Sequence, residues 1–496
     1  MQSLGLRFQK VKHRATFFRN PGVHILILTL IVAGTQWYNW GIFGDPDAQF
    51  HLTVARLMPA WPTSTQFFWL PFTSWGTAYA DQHYLFHLFL KPLVLLGAGQ
   101  IVIVLGFLLN LLGFNWLLKQ VTTHNRSPWL WLYAFGSADL FTRVSLIKAE
   151  ATGMVFLFLL TGLLIKRKWQ WLLPIMALYT LWYGASTLCL VVLATYCATE
   201  LFLKKTLLFR PVCWALAGLF LGLVIHPQSA ALPALLYDQI TGAGLLRVIP
   251  GGNEWYAQPA AFLPDNILVL LPWVISLFYI FKARKNTPQT LWFIALSSCA
   301  LFLLALYSNR LTLYWVPFAV LLMAHTLPSP VQKIYRELFS TPGQTLRKVL
   351  VVLLIALAAS RGLQNIYNIT TTIHRIGLPV DRLRTAAEWL NAHTQPGDVI
   401  TNTSWHIFPE LFYWNTKNRY IAGEDPAFLW IADPDRYTVW KRLEHPTTQN
   451  EYGIGMRAFQ STWLITPHVH NAPADSNPHL RQVYADESVR ILHLTK

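Results

Sequence analysis

The chain has 496 residues, of which 54% are hydrophobic and only 12% charged, about half the charged share of a soluble globular protein, roughly 25%. That balance excludes a soluble multidomain enzyme, while four cysteines, with 27 Gly and 29 Pro, exclude a disulfide scaffold, a collagen-like chain and a disordered one. The 22 Trp suit rings that settle where helices meet lipid headgroups, and the chain reads as a polytopic membrane protein.

Crossing about 30 Å of hydrocarbon takes about 20 apolar residues. Eleven such runs are expected, near 23–43, 93–118, 128–141, 150–165, 169–184, 187–203, 211–226, 264–281, 290–307, 311–327 and 349–367. The first is longer than the core of a signal peptide and is followed by Trp37, Tyr38 and Trp40, so it is expected to stay as an anchor. With the N-terminus inside, inner segments before residue 361 hold twenty Lys and Arg and outer segments six, the asymmetry that cytoplasmic retention of basic residues produces. From Arg361 onward 13 basic residues meet 13 acidic ones, so the net +16 belongs to the membrane part. Topology accounts for it, and no nucleic acid partner is implied.

The acidic residues are distributed the other way. Asp45, Asp47, Asp81, Asp139, Glu150, Asp238, Glu254 and Asp265 fall at or near the outer face, and only Glu200 and Glu337 inside. Orientation rules do not require this, and ionisable groups near a membrane are costly and usually functional. Chemistry is therefore expected outside. Two long outer loops, 44–92 and 227–263, are its natural places.

Near residue 370 the composition changes. Leu383, Ala387 and Leu390 fall at helical spacing, followed by a Gln-Pro-Gly-Asp turn and the strand-like Val399-Ile400-Thr401. Further strands are expected at "STWLIT" and "SVRILHL". The reading is a transmembrane unit, 1–370, and a small extracytoplasmic α/β domain, 371–496.

The first outer loop carries two clusters, "GDPDAQFHLTVARLMPAWP" from Gly44 and "ADQHYLFH" from Ala80. Pro46 suits a helix start with Asp45 near the cap, which puts Asp47 and His51 on one face. His83 and His87 share the same spacing, with Asp81 near the start of their helix; His87 faces an apolar run and reads as a hydrogen-bonded core histidine. Carboxylates with imidazoles on rigid turns can bind a divalent cation such as Mg or Mn, or one carboxylate can act as general base.

"GDPDAQFHL…ARLMPAWP", with an acidic residue some way on before an apolar helix, resembles the first acidic motif of oligosaccharyltransferase catalytic subunits, members of the GT-C class of membrane glycosyltransferases. "FTRVSLIKAEA" is similar to that family's second outer-loop motif, with Lys148 and Glu150 where the family has an acidic pair. "GGNEWYAQP" places Glu254 like the family's loop glutamate. "YSNRLTLYWVPFAVLLMAH" resembles the helix whose arginine, here Arg310, contacts the lipid phosphate. "NTSWHIFPELFYWNTKNRYIAGEDP" resembles the tryptophan-rich segment, with Trp405-His406 in place of Trp-Trp-Asp.

The resemblance implies inverting transfer of a sugar from a polyprenyl-phosphate or polyprenyl-diphosphate carrier to a protein, lipid or glycan acceptor. Asp47 or Asp45 would be the base. Arg310 would meet the donor phosphate, with Arg143 near it and also near Glu150. Asp81, His83, Glu254, Glu150 and His51 would hold a metal or orient the acceptor. The expected setting is a bacterial inner membrane, with the N-terminus cytoplasmic. A transporter or flippase of lipid-linked sugars, or a non-catalytic scaffold, is the alternative.

Overall fold

Apolar helices set the frame of the molecule. In the computed structural model, which describes residues 20–58, 64–239, 241, 259–328, 345–468 and 478–495, five described helices are long and apolar enough to cross a bilayer. They are Pro21–Tyr38, Ile101–Val121, Gly184–Lys204, Pro259–Lys282 and Gln289–Tyr307. Tyr84–Leu95 and Arg210–Ile225 are shorter apolar helices. Leu30, Phe220, Phe278, Leu303 and Leu354 are exposed on outward faces, a surface that lipid accepts and water does not. The protein is an integral membrane protein.

Close helix contact rests on small residues. A side chain on Gly218 would come within 2.3 Å of the Leu173 carbonyl, and one on Gly222 within 2.7 Å of Thr180. This four-residue spacing lets Arg210–Ile225 lie directly on Leu172–Trp182.

One expected run is broken in a way that matters. The run at 128–141 is helix Ser127–Phe135 followed by a separate helix Ala138–Val144, which Ser137 restarts by accepting the Leu140 N–H at 3.0 Å. That second helix meets Ala149–Ile165 at a bend of 108°. Ser145 ends it by donating to the Phe141 carbonyl, and Lys148 is extended, with φ −138°. The bend therefore delivers Lys148 and Glu150 together at the mouth of a helix.

The C-terminal part carries a mixed five-stranded sheet. Strands β3 (Val399–Asn402), β4 (Arg419–Tyr420), β5 (Trp463–Pro467), β6 (Leu480–Ala485) and β7 (Val489–Leu494) lie in the order β4-β3-β5-β7-β6. β3 runs parallel to β4 and β5, and β7 antiparallel to β5 and β6. The expected helix is Arg384–His393, and the expected strands are β3, β5 and β7.

This sheet layer is stitched to the first outer loop. β1 (Ile42–Phe43) pairs antiparallel with β2 (Leu378–Pro379), and Gly41, at φ 78°, accepts the Val380 N–H at 2.8 Å. Beyond them Phe50, Phe67, Trp75, Phe408, Phe412 and Phe428 form one buried aromatic core drawn from both segments. Arg56 donates to the Tyr413 carbonyl at 2.6 Å, and the Trp69 indole to Thr416 at 2.8 Å. Truncating the fully buried Phe412 by Phe412→Ala is expected to cost about 3–5 kcal/mol. A lowered melting temperature of the detergent-solubilised protein checks it, with protease cleavage appearing in the first outer loop.

Candidate active site

Helix Asp47–Leu57 starts where proline geometry dictates: Pro46 at φ −64° is already helical, and Asp45 Oδ1 accepts the Asp47 N–H at 2.7 Å. It ends at Met58, extended ahead of Pro59. This start aims both aspartates into a cavity of about 510 Å³ between the outer loops and the sheet domain.

Opposite them the bend presents Lys148, buried and reaching both carboxylates. Its Nζ lies 2.9 Å from Asp45 Oδ2 and 2.8 Å from Asp47 Oδ2. Two residues on, Glu150 is fully buried and takes two guanidinium groups: Arg310 Nε donates to its Oε2 at 2.5 Å, and Arg143 Nη1 to its Oε1 at 3.4 Å. The Tyr183 hydroxyl also donates to Oε2, at 3.2 Å. Arg310 lines the cavity, whereas Arg143 lies behind Glu150 and is not on the cavity wall. The first cluster has one negative charge in excess and the second one positive.

A third group is a buried chain of imidazoles. Asp81 Oδ2 lies 2.7 Å from His87 Nδ1, and His87 Nε2 lies 2.8 Å from His51 Nδ1. Asp81 Oδ1 accepts the His83 N–H at 3.0 Å, so both oxygens of Asp81 are engaged. The expected core histidine is thus the link that joins Asp81 to His51 on the cavity wall. Burial holds the His51 ring well below the usual imidazole range, with His87 adding to the effect. Burial likewise pushes His83 down to about 3; its ring stacks on Tyr183 at 5.5 Å. Both rings are neutral hydrogen-bonding groups at ordinary pH. An ionised carboxylate only accepts, so His87 Nδ1 donates to Asp81 Oδ2.

The sheet domain closes the cavity with Trp405, His406, Glu424, Asp425 and Phe428. Glu424 sits in the left-handed region at φ 60°, a strained backbone of the kind that collects at functional sites. Burial raises its carboxyl well above the ordinary range, and the neighbouring Asp47 and Asp45 raise it further. Its Oε1 is buried with no hydrogen-bond partner among the described residues.

The cavity thus gathers Asp45, Asp47, His51, Asp81, His83, Glu150 and Arg310 of the residues singled out in the sequence. Glu254 lies outside the described residues. Glu424 and Asp425 carried no signal of their own. A metal fits this arrangement poorly: Lys148 holds the place between the two aspartates, Asp81 is bound to histidines, and the described residues contain no group of three or more His, Cys, Asp or Glu able to hold an ion.

A cavity walled by acidic and basic helix ends beneath a C-terminal sheet layer sits in a helical fold that solved membrane-protein structures share. Among those structures are an oligosaccharyltransferase and ArnT. Archaeal oligosaccharyltransferase AglB from Archaeoglobus fulgidus, in complex with an inhibitory peptide and a dolichol-phosphate, superposes with a TM-score of 0.65 at 12% identity, covering 90% of this chain and 69% of that one. ArnT from Cupriavidus metallidurans bound to undecaprenyl phosphate gives 0.54 at 14% identity, covering 95% and 97%. Its apo form gives 0.56 at 14% identity, covering 95% and 98%. No family model and no curated protein sequence matches the chain.

Two outcomes follow from the buried groups. His87→Ala leaves Asp81 buried without its imidazole and is expected to destabilise by about 1.5–3 kcal/mol, read as a lowered melting temperature, while His87→Gln recovers part of the loss. Because folding raises the Glu424 carboxyl, its contribution to stability is complete below the ordinary carboxylate value of 4.5 and is lost as pH rises through the raised one. Glu424→Gln should remove that component, so the variant's melting temperature falls less than the wild type's between pH 5 and pH 9 (both about), measured by thermal unfolding in detergent.

Proposed function

We propose that the chain is a GT-C glycosyltransferase that moves a sugar from a polyprenyl-phosphate or polyprenyl-diphosphate carrier to a protein, lipid or glycan acceptor at the outer face of a membrane. The observation that carries this reading is the division of charge across one cavity. The Asp45–Lys148–Asp47 cluster suits an acceptor that must lose a proton, and the Arg143–Glu150–Arg310 cluster suits a phosphate that must leave. In the low-dielectric setting of a buried wall, fixed charges aimed at developing charge are worth more than in water. The setting is a bacterial inner membrane with the N-terminus cytoplasmic, and the chain divides near residue 370 into a membrane unit and an extracytoplasmic domain.

Transfer is a single displacement. The acceptor oxygen or nitrogen attacks the anomeric carbon from the aspartate side while the bond from that carbon to the phosphate oxygen breaks on the opposite side. The electron pair leaves with the phosphate and the acceptor proton passes to Asp47, the more exposed of the two aspartates, with side-chain exposure of 29% against 19%. Configuration at the anomeric carbon inverts. Arg310 faces the phosphate, and Arg143 acts through Glu150, holding the carboxylate that orients Arg310. His51 and His83, both neutral, present hydrogen-bonding nitrogens toward the acceptor and the sugar.

The test combines a deletion strain with a purified variant. Mass spectrometry of the deletion strain's lipids should show an accumulated polyprenyl-linked sugar, and its glycan, lipid or protein fraction a missing substituent. Asp47→Asn should insert normally and lower turnover by about 10²- to 10⁴-fold. Retention of more than about a tenth of wild-type turnover would rule out the base role, because such catalysis is worth at least about a hundredfold.

A further inference from the structure

We infer that Lys148 is the resident cation of this site: it takes the position between Asp45 and Asp47 that a divalent metal would need, and transfer runs without a metal. This role rests on the glycosyl-transfer reading of the cavity and deepens it.

The first support is geometric. Lys148 Nζ lies 2.9 Å and 2.8 Å from one oxygen of each aspartate, the contact of a charge-assisted hydrogen bond. A metal ion at the same point would require the ammonium to withdraw, and Lys148 is buried with a side-chain exposure of 5%. Withdrawal would leave an unpaired buried ammonium, which is strongly unfavourable.

The second support is the fate of the remaining donors. Asp81 spends its two oxygens on the His83 N–H and the His87 imidazole. His51 Nδ1 is turned to His87 rather than to the aspartates. Glu150 is taken by Arg310, Arg143 and Tyr183. Each carboxylate around the cavity that a cation could recruit, Glu424 and Asp425 apart, already has a cationic or imidazole partner in the chain itself. Glu424 is driven by burial and by Asp47 and Asp45 toward its neutral form, in which it is a weak metal ligand.

The third support is electrostatic need. Asp45 and Asp47 lie within reach of the same ammonium, and two carboxylates sharing a site repel unless a cation stands between them. Lys148 supplies that cation from the same bend that supplies Glu150 to Arg310. One backbone turn therefore sets both the charge beneath the acceptor and the charge at the phosphate. As the phosphate departs, the ammonium also stands on the cavity wall with Arg310, able to offset the developing negative charge.

Equilibrium dialysis against Mn²⁺ with metal analysis of the purified full-length protein tests this directly, alongside transfer assays after exhaustive chelation. The expected result is no stoichiometric Mn²⁺ on the wild type and full transfer in the chelated protein. Lys148→Met should lower turnover by about 10²- to 10³-fold, the loss expected when one fixed charge-stabilising group is removed. Lys148→Asp should bind Mn²⁺ at one ion per chain. Stoichiometric Mn²⁺ on the wild type, loss of transfer on chelation with recovery on Mn²⁺ addition, or failure of Lys148→Asp to bind Mn²⁺ would each overturn the role of Lys148. The binding arms decide it whether or not a donor has been found, whereas failure of the glycosyl-transfer reading shows only in the deletion strain's unaltered lipids.

Discussion

The bridge from Lys148 to Asp45 and Asp47 is the constraint on which the site depends. It joins the start of the first outer-loop helix to the bend before Ala149–Ile165, two points roughly a hundred residues apart in sequence. Without it, two carboxylates would face each other across a partly dry cavity, with Glu424 adding a third. The cation lets the two aspartates approach each other, while burial first, and then Asp47 and Asp45, raise the Glu424 carboxyl beside them. Arg143, Glu150 and Arg310 repeat the device with the signs reversed.

These charges are held in place by an apolar scaffold that ignores the boundary between membrane part and sheet domain. Phe50 and Phe67 from the outer loop share a core with Phe408 and Phe412 from the C-terminal part. Phe50 is on the same helix as Asp47 and His51, so the packing that fixes the aromatic face also fixes the direction of the carboxylate on the adjoining face. On the other side the imidazole chain ties that helix to Tyr84–Leu95 through His51 and His87. The helix bearing the proposed base is thus gripped by aromatic stacking on one face and by hydrogen bonds on another.

Much of this was legible in the sequence, for local reasons. Pro46 between two aspartates signals a helix start, and Asp47 and His51 must then share a face. The outer bias of acidic residues, and the resemblance that singled out Arg310, pointed to the cavity wall without any contact being known. The sheet domain was visible as far as its strands were strongly patterned, as in β3, β5 and β7. The remainder depends on distant partners. His87 read as an ordinary core histidine because nothing local says that His51, 36 residues earlier, will meet it. The run expected at 128–141 is not one helix because Ser137 restarts the chain inside a stretch whose hydropathy is continuous. Glu424 was silent because its importance comes from a left-handed backbone and from aspartates some 380 residues upstream, neither of which leaves a periodic signature.

The short ribbon formed by Ile42–Phe43 and Leu378–Pro379 limits how substrates can arrive. It lies two residues from Asp45, and the aromatic core lies just past it, so swinging the sheet domain aside would unzip the ribbon and wet several phenylalanines at about 1.5–3 kcal/mol each. An acceptor therefore meets a fixed porch rather than a jaw. On the proposed glycosyl-transfer reading, the width of the doorway screens an acceptor's size and shape, and a lipid-borne donor enters between helices from the bilayer side.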